Sequence, residues 1–206
     1  AFDHCPPGKS KLDEVTKAVK RTNEWFIRCK NYLKDNPRLY KHSQTLFPII
    51  QGGINHKMRE MSIEGLVPQA DFGIAIGGLA VGEEKNAMFD TIEFCDSLLP
   101  KDRPRYLMGV GRPTDIVKAI RHGVDMFDCV MPTRNARNGM LFTSEGTINI
   151  KNKAVKAITL KKYVAPLIKR LDAADHNLQK GSLVSEENLF NCLVIEEDGT
   201  TGLRGE

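Results

Sequence analysis

DFGIAIGGLAVG, residues 71–82, reads as an apolar strand that runs straight into glycines. Both flanks repeat the pattern. Upstream, residues 55–66 have helical spacing, with Met58, Met61 and Leu66 apolar, and LFPIIQGG (46–53) is another strand that stops at Gly-Gly. Before it, residues 9–34 place Leu12, Val15, Val19, Trp25, Phe26, Cys29 and Leu33 at roughly helical spacing, and AFDHC (1–5) is a short apolar run. Downstream come a helix over 84–98, a strand RYLMGVG (105–111), and a helix opening at Pro113, where proline suits the first turn. A strand DMFDCVM (125–131) follows, and GMLFTSEGTINI (139–150) alternates around Ser-Glu-Gly as a hairpin does.

Near-continuous apolar strands alternating with helices predict an α/β fold, a parallel sheet covered by helices. Such folds bind ligands at the carboxyl ends of their strands, in a closed barrel or at a switch point of an open sheet. That rule singles out Asp3, Gln51, Gly77, Gly78, Met108 and Asp128. Five strands in the first 150 or so residues fall short of a closed eight-stranded barrel, which takes ~250 residues. The pattern therefore predicts either a small open sheet or part of a barrel. After residue 153 the rhythm stops: 154–181 is a basic, helix-like stretch interrupted at Pro166, and 189–206 reads as one strand and a turn. Residues 1–153 and 154–206 are accordingly separate segments, the second without an assigned role.

Composition narrows the class. With 41% hydrophobic and 27% charged residues, the 206-residue chain is not disordered, collagen-like or fibrous. No apolar run approaches the ~20 residues that span a bilayer, and AFDHCPPGKS lacks the apolar core of a secretory signal. Five cysteines, odd in number and widely spaced, suggest reduced thiols and a cytoplasmic protein. A net charge of +4 permits a polyanionic partner without demanding one. The chain begins with Ala1, not Met.

The densest chemistry lies in MFDCVMPTRNARNGM, residues 126–140. Asp128 ends an apolar strand, where a half-buried carboxylate aimed by rigid backbone suits a nucleophile or general base. Arg134 and Arg137 follow in a loop, two forked guanidiniums fit for phosphate. The competing reading, equally compatible with the spacing, has Asp128 capping the loop and the arginines solvated. Asp3 precedes a double-proline turn and pairs with Asp128 as the two carboxylates that glycosyl chemistry uses. Residues 73–83 lack both phosphate-loop spacings, so close backbone approach to a flat ligand is the better functional reading, with a plain tight turn between strand and helix equally compatible. Gln51 offers an amide donor and acceptor to the edge of a purine-like ring, and Met108 could pack on its face. His4, beside Asp3, is a candidate for orienting it. Cys192 with His176 is too sparse for a zinc site.

FDHCPPG, FPIIQGG, GGLAVGE, YLMGVGRP and MFDCVMPTRNARNG, in this order and spacing, closely resemble the tRNA-guanine transglycosylases, or queuine tRNA-ribosyltransferases. The resemblance covers residues 1 to about 153. It implies a (β/α)8 barrel of the TIM type, of which this chain carries part, followed by a small C-terminal tail. It implies Asp128 as the nucleophile that attacks the ribose of the wobble guanosine in a tRNA anticodon, giving a covalent ribosyl-enzyme adduct that a 7-deazaguanine base then displaces. Asp3 and Gln51 would bond the pyrimidine edge of the base, Gly78 and the Leu79 carbonyl the rest of it, and Met108 would stack on it. Arg134 and Arg137 would meet the anticodon loop. Cys5 and Val81 resemble the bacterial form, which takes the aminomethyl precursor rather than queuine.

The chain departs from that pattern in three ways. The family's second aspartate, an acid/base in a DSGG-type loop, belongs upstream of Asp3 and is not among these residues, nor are the strands that precede it. The structural zinc site, a CxCxxC with a later histidine, has no counterpart in 154–206, so no metal ligand is assigned here; the chemistry itself requires no cofactor. The resemblance implies a homodimer, and the region that would carry zinc and much of that interface has no counterpart here. The sequence thus reads as the middle of the enzyme with an altered tail. Two other functions compete: a catalytically silent tRNA-binding paralogue, and a small open sheet that binds a nucleotide.

Overall fold

A computed structural model describes residues 1–36, 41–143 and 146–149. The chain divides into two units, Ala1–Cys129 and Val130–Glu206, each described by itself.

The first unit opens with α1 (Leu12–Asp35), then alternates β1 (Ile49–Ile50), α2 (His56–Leu66), β2 (Ile74–Ile76), α3 (Lys85–Leu98), β3 (Arg105–Leu107), α4 (Pro113–Arg121) and β4 (Met126–Phe127). The four strands form one sheet, all parallel, in the order β1-β2-β3-β4. Sequential order without reversal is how successive strands of a barrel wall run, and it offers no switch point of the kind a doubly wound open sheet has.

Register explains which face does what. Ile50, Ile76 and Leu107 lie in one row with Phe127, and Ile49, Ala75, Tyr106 and Met126 form the row before it. Since successive side chains point to opposite faces, the first row meets the helices. Ile50, Ile74, Ile76 and Leu107 pack there with Ile63 of α2, Met88, Phe89, Ile92 and Cys95 of α3, and Ala119 of α4 in one buried cluster. Full burial of each large aliphatic chain there contributes about 1.5–3 kcal/mol. The opposite face carries Ile49, Ala75 and Tyr106. α1 docks on α2 through a separate cluster of Val15, Val19 and Met58. At the amino end of β3, buried Arg105 reaches the carbonyls of Leu99 and Pro100 and the Asp96 carboxylate, tying α3 to the sheet.

Two strand expectations need correction. Residues 1–5 form no strand. The Ala1 nitrogen donates to Phe47 O beside β1, but the His4 N–H goes to Thr22 Oγ1 and Pro6 and Pro7 have no N–H to give, so no ladder develops. Thus the sheet has four strands among the described residues, not five. The strand expected over 125–131 stops at Phe127, and Met131–Arg137 is a helix, α5, opened by Pro132. Elsewhere in the parallel sheet the strands span two or three residues, shorter than the apolar runs that predict them.

The described part of the second unit comprises α5 and an antiparallel hairpin, β5 (Met140–Thr143) with β6 (Gly146–Asn149), where the sequence predicts one. The segment assigned to 154–206 lies outside the described residues, as do Cys192 and His176. No helix among the described residues is long and apolar enough to cross a membrane.

Candidate active site

Two residues beyond the row Ile49, Ala75, Tyr106, Met126 lie Gln51, Gly77, Met108 and Asp128, at the carboxyl ends of all four strands. The ladder carries on into this row, with Gly77 N donating to Ile50 O (3.0 Å) and Met108 N to Ile76 O (3.1 Å). Even spacing by two residues gives the four positions the same face as Tyr106.

Gln51 is fully buried. Its backbone N–H donates to Ser62 Oγ of α2 (3.1 Å), and its side-chain Nε2 donates to Asp3 Oδ2 (2.6 Å). Its Oε1 is buried with no hydrogen-bond donor among the described residues, an arrangement that costs free energy unless a ligand supplies one. Gly78, at φ +64°, comes so close that a Cβ there would land on Gln51 Oε1, and a Cβ on Gly77 would meet Gln51 Nε2 at 2.9 Å. Glycine is required here by contact as well as by torsion. Asp3, Gln51, Gly77 and Gly78 are thus brought together. The Leu79 side chain is in the core, so only its backbone can face a ligand. Met108 is half-buried at the same edge. His4 turns away from Asp3: its Nδ1 lies 3.3 Å from Arg21 Nη1, and Gln51 holds Asp3 instead.

Asp128 is exposed, not half-buried as expected for a strand residue, because β4 ends one residue earlier. It is nonetheless oriented. Oδ1 accepts the Tyr106 phenol (2.7 Å) and the Gly109 N–H (2.9 Å). Burial, then hydrogen bonding to Asp128 and the charge of that carboxylate, push the Tyr106 phenol up to about 12, so it is a proton-bearing donor at neutral pH. Burial and the Asp3 charge likewise raise the Cys5 thiol, partly offset by hydrogen bonds from the Gly78 backbone and Gln51.

Arg134 and Arg137 stand three apart on α5, hence on one helical face, rather than in a loop. They belong to the second unit.

Two residues at the site have no mention in the sequence reading. Arg59 of α2 is fully buried, and its guanidinium donates to Ile50 O, Gly53 O and Gly77 O, each at 2.8 Å, and to Gly78 O at 3.3 Å. Its signal was available: an arginine inside the apolar stripe Met58, Ser62, Ile63, Leu66 of an amphipathic helix. Glu83 accepts from the N–H of Ala80 and of Val81 (2.9 Å), holding Ala80 at φ +58°. Among the described residues, no group of three or more His, Cys, Asp or Glu side chains could hold a metal ion.

The family model described as queuine tRNA-ribosyltransferase matches residues 1–162. The queuine tRNA-ribosyltransferase of Halothermothrix orenii is 47% identical over 152 residues, 74% of this chain and 39% of that protein. That of Hydrogenovibrio crunogenus is 47% identical over 155 residues, 75% of this chain and 40% of the relative. For Actinobacillus pleuropneumoniae serotype 5b the figures are 47% over 160 residues, 77% and 40%. The chain spans about two fifths of the length of these relatives. With the family model matched from Ala1 through the strand ends, the Asp128 turn and the hairpin, this chain belongs to the queuine tRNA-ribosyltransferase family.

Proposed function

We propose that these residues carry the base site and the nucleophile of a tRNA-guanine transglycosylase, a pentosyltransferase acting on the anticodon wobble position. The observation that carries this reading is the row at the carboxyl edge. It has at one end a carboxylate and an undonated amide oxygen side by side, and at the other a carboxylate aimed by a phenol and a backbone N–H.

Guanine offers N1–H and a 2-amino group on its pyrimidine edge, donors that match the acceptors Asp3 and Gln51 Oε1. Asp128 then attacks the ribose C1′. A C–O bond to the carboxylate forms, the C1′–N9 bond breaks, and its electron pair leaves with guanine, which takes up a proton. A 7-deazaguanine base gives up its ring N–H proton, attacks the same carbon and releases Asp128. One proton is taken and one given, so the exchange needs no oxidant, reductant or metal. Holding Asp128 by two donors keeps one oxygen in place while leaving Oδ2 for attack. The wobble nucleotide must leave its stack to reach the edge, and Arg134 and Arg137 bind the splayed anticodon loop. Cys5 and Val81 favour the aminomethyl precursor base over queuine.

The test is incubation of the chain with tRNA followed by denaturing electrophoresis. An adduct that survives denaturation and is absent from Asp128→Asn supports the transglycosylase. Reversible tRNA binding without any adduct points to the silent paralogue instead.

A further inference from the structure

Gly109 and Gly111 are glycines for different reasons. Gly109 sits at φ +77° with open space where a Cβ would be, so its torsion disfavours a side chain. Gly111 has no such torsion. There a Cβ would land on the Cβ and Sγ of Cys129 and lie 3.6 Å from its Cα. The half-buried Cys129 side chain therefore occupies the space that a side chain at position 111 would need. Contact, not torsion, requires glycine at this second place.

Both glycines lie just past paired strand ends. Leu107 and Phe127 are the last register partners of β3 and β4. Beyond them, two contacts join the 108–111 loop to the Asp128 turn. The Gly109 N–H donates to Asp128 Oδ1 at 2.9 Å, and the Cys129 side chain packs on Gly111. The loop is tied at both ends. Met108 N donates to Ile76 O (3.1 Å), and Arg112 O accepts from the N–H groups of Asp115 and Ile116 at 3.0 Å each. Two glycines between those ties leave the backbone soft, so packing on Cys129 is what sets the direction of the Gly109 N–H.

We infer that Gly111 and Cys129 are positioning residues: the Cys129 side chain, seated on the α-carbon of Gly111, holds the loop so that the Gly109 N–H stays on Asp128 Oδ1. The pair acts through that carboxylate rather than on the reacting atoms. This inference rests on the reading of Asp128 as nucleophile proposed above.

Gly111→Ala in the full chain tests it with two readouts. One is the single-turnover rate of adduct formation at saturating tRNA. The other is hydrogen exchange at the Gly109 amide, with Met108, bonded within the sheet, as the reference. The rate is expected to fall about tenfold and Gly109 exchange to quicken about tenfold, with Met108 exchange unchanged. Adding Cys129→Gly removes the atoms that the added methyl strikes, and is expected to restore both readouts. A wild-type rate in Gly111→Ala overturns the inference, as does a slow rate with Gly109 still protected. So does an equal quickening at Met108, which marks general loosening, or a double variant no better than the single one. Should Gly111→Ala fail to fold, Cys129→Gly alone decides. It empties the same contact, and wild-type values of both readouts overturn the inference. A wild-type chain that forms no adduct overturns the nucleophile reading, and the orienting role with it.

Discussion

Tyr106 donates its phenol to Asp128 Oδ1 across neighbouring strands, 2.7 Å from oxygen to oxygen, and the Gly109 N–H reaches the same oxygen at 2.9 Å. A carboxylate at an exposed strand end has little packing to hold it, so these two donors define where its other oxygen points. Removing one donor leaves the carboxylate free to rotate, and misorientation of a reacting group is expensive. Tyr106→Phe is expected to slow adduct formation with tRNA about tenfold with guanine affinity unchanged, read by single-turnover gels and calorimetry.

The same pair has a spectroscopic signature. Tyr106 titrates near 12, raised first by burial and then by Asp128. In Asp128→Asn the burial remains but the charge is gone, so the tyrosinate absorbance assigned to Tyr106 should appear at lower pH. The sign for stability follows. A phenol whose native value lies above its unfolded value of 10.0 stabilises the fold fully below that value. The contribution is lost as pH rises through about 12. Thermal melts between pH 9 and 12 should therefore fall less steeply in Tyr106→Phe than in wild type.

Gly78 answers to two constraints at once. A Cβ would collide with Gln51 Oε1, and φ +64° is strained for alanine. Gly78→Ala is expected to lose about 1–2 kcal/mol of stability from backbone strain and nearly all guanine binding, because Gln51 must leave its place. A variant that melts earlier yet binds guanine normally would contradict the assignment of Gln51 to the base edge.

Far from the site, Asp96 answers both Arg105 and Lys101. Burial pushes its carboxyl up, but hydrogen bonds and charge from Lys101 and Arg105 outweigh that and hold it below 3.8. The stability it contributes is present above that ordinary value and lost as pH falls through the depressed native one. Asp96→Asn should therefore destabilise at neutral pH and flatten the acid limb of the melting curve. Arg105, 3% exposed, keeps a carbonyl acceptor in the asparagine but loses the charge that strengthens that hydrogen bond, a cost of about 1 kcal/mol.

Arg134→Ala and Arg137→Ala should each weaken tRNA binding and reduce the slope of log affinity against log salt by about 0.7 if each contacts a phosphate of a single-stranded loop. Guanine affinity should not change in either variant.

Much of this was legible beforehand because strand periodicity and strand-end glycines are local properties. The alternation of 46–131 is enough to predict a parallel sheet, and the strand-end rule picks Gln51, Gly77, Met108 and Asp128, which the register then aligns in one row. Arg59 and Glu83 escaped because their partners are backbone atoms of segments 6 to 19 and two to three residues away, respectively. Backbone acceptors leave no side-chain motif to read. His4 was paired with Asp3 by adjacency alone, whereas the fold gave Asp3 to Gln51, 48 residues on.

By itself, then, the sequence determined the class of fold, the row of candidate residues at the carboxyl edge and the family, since each is written in short blocks whose spacing is a chain property. Tertiary structure alone decided which groups meet. It stopped β4 at Phe127 and left Asp128 exposed, coiled Arg134 and Arg137 into α5, and buried a guanidinium beneath Gly77 and Gly78. The physical reason is that hydrogen-bond partners and burial depend on side chains brought together across strands and helices, and no local pattern encodes those distances.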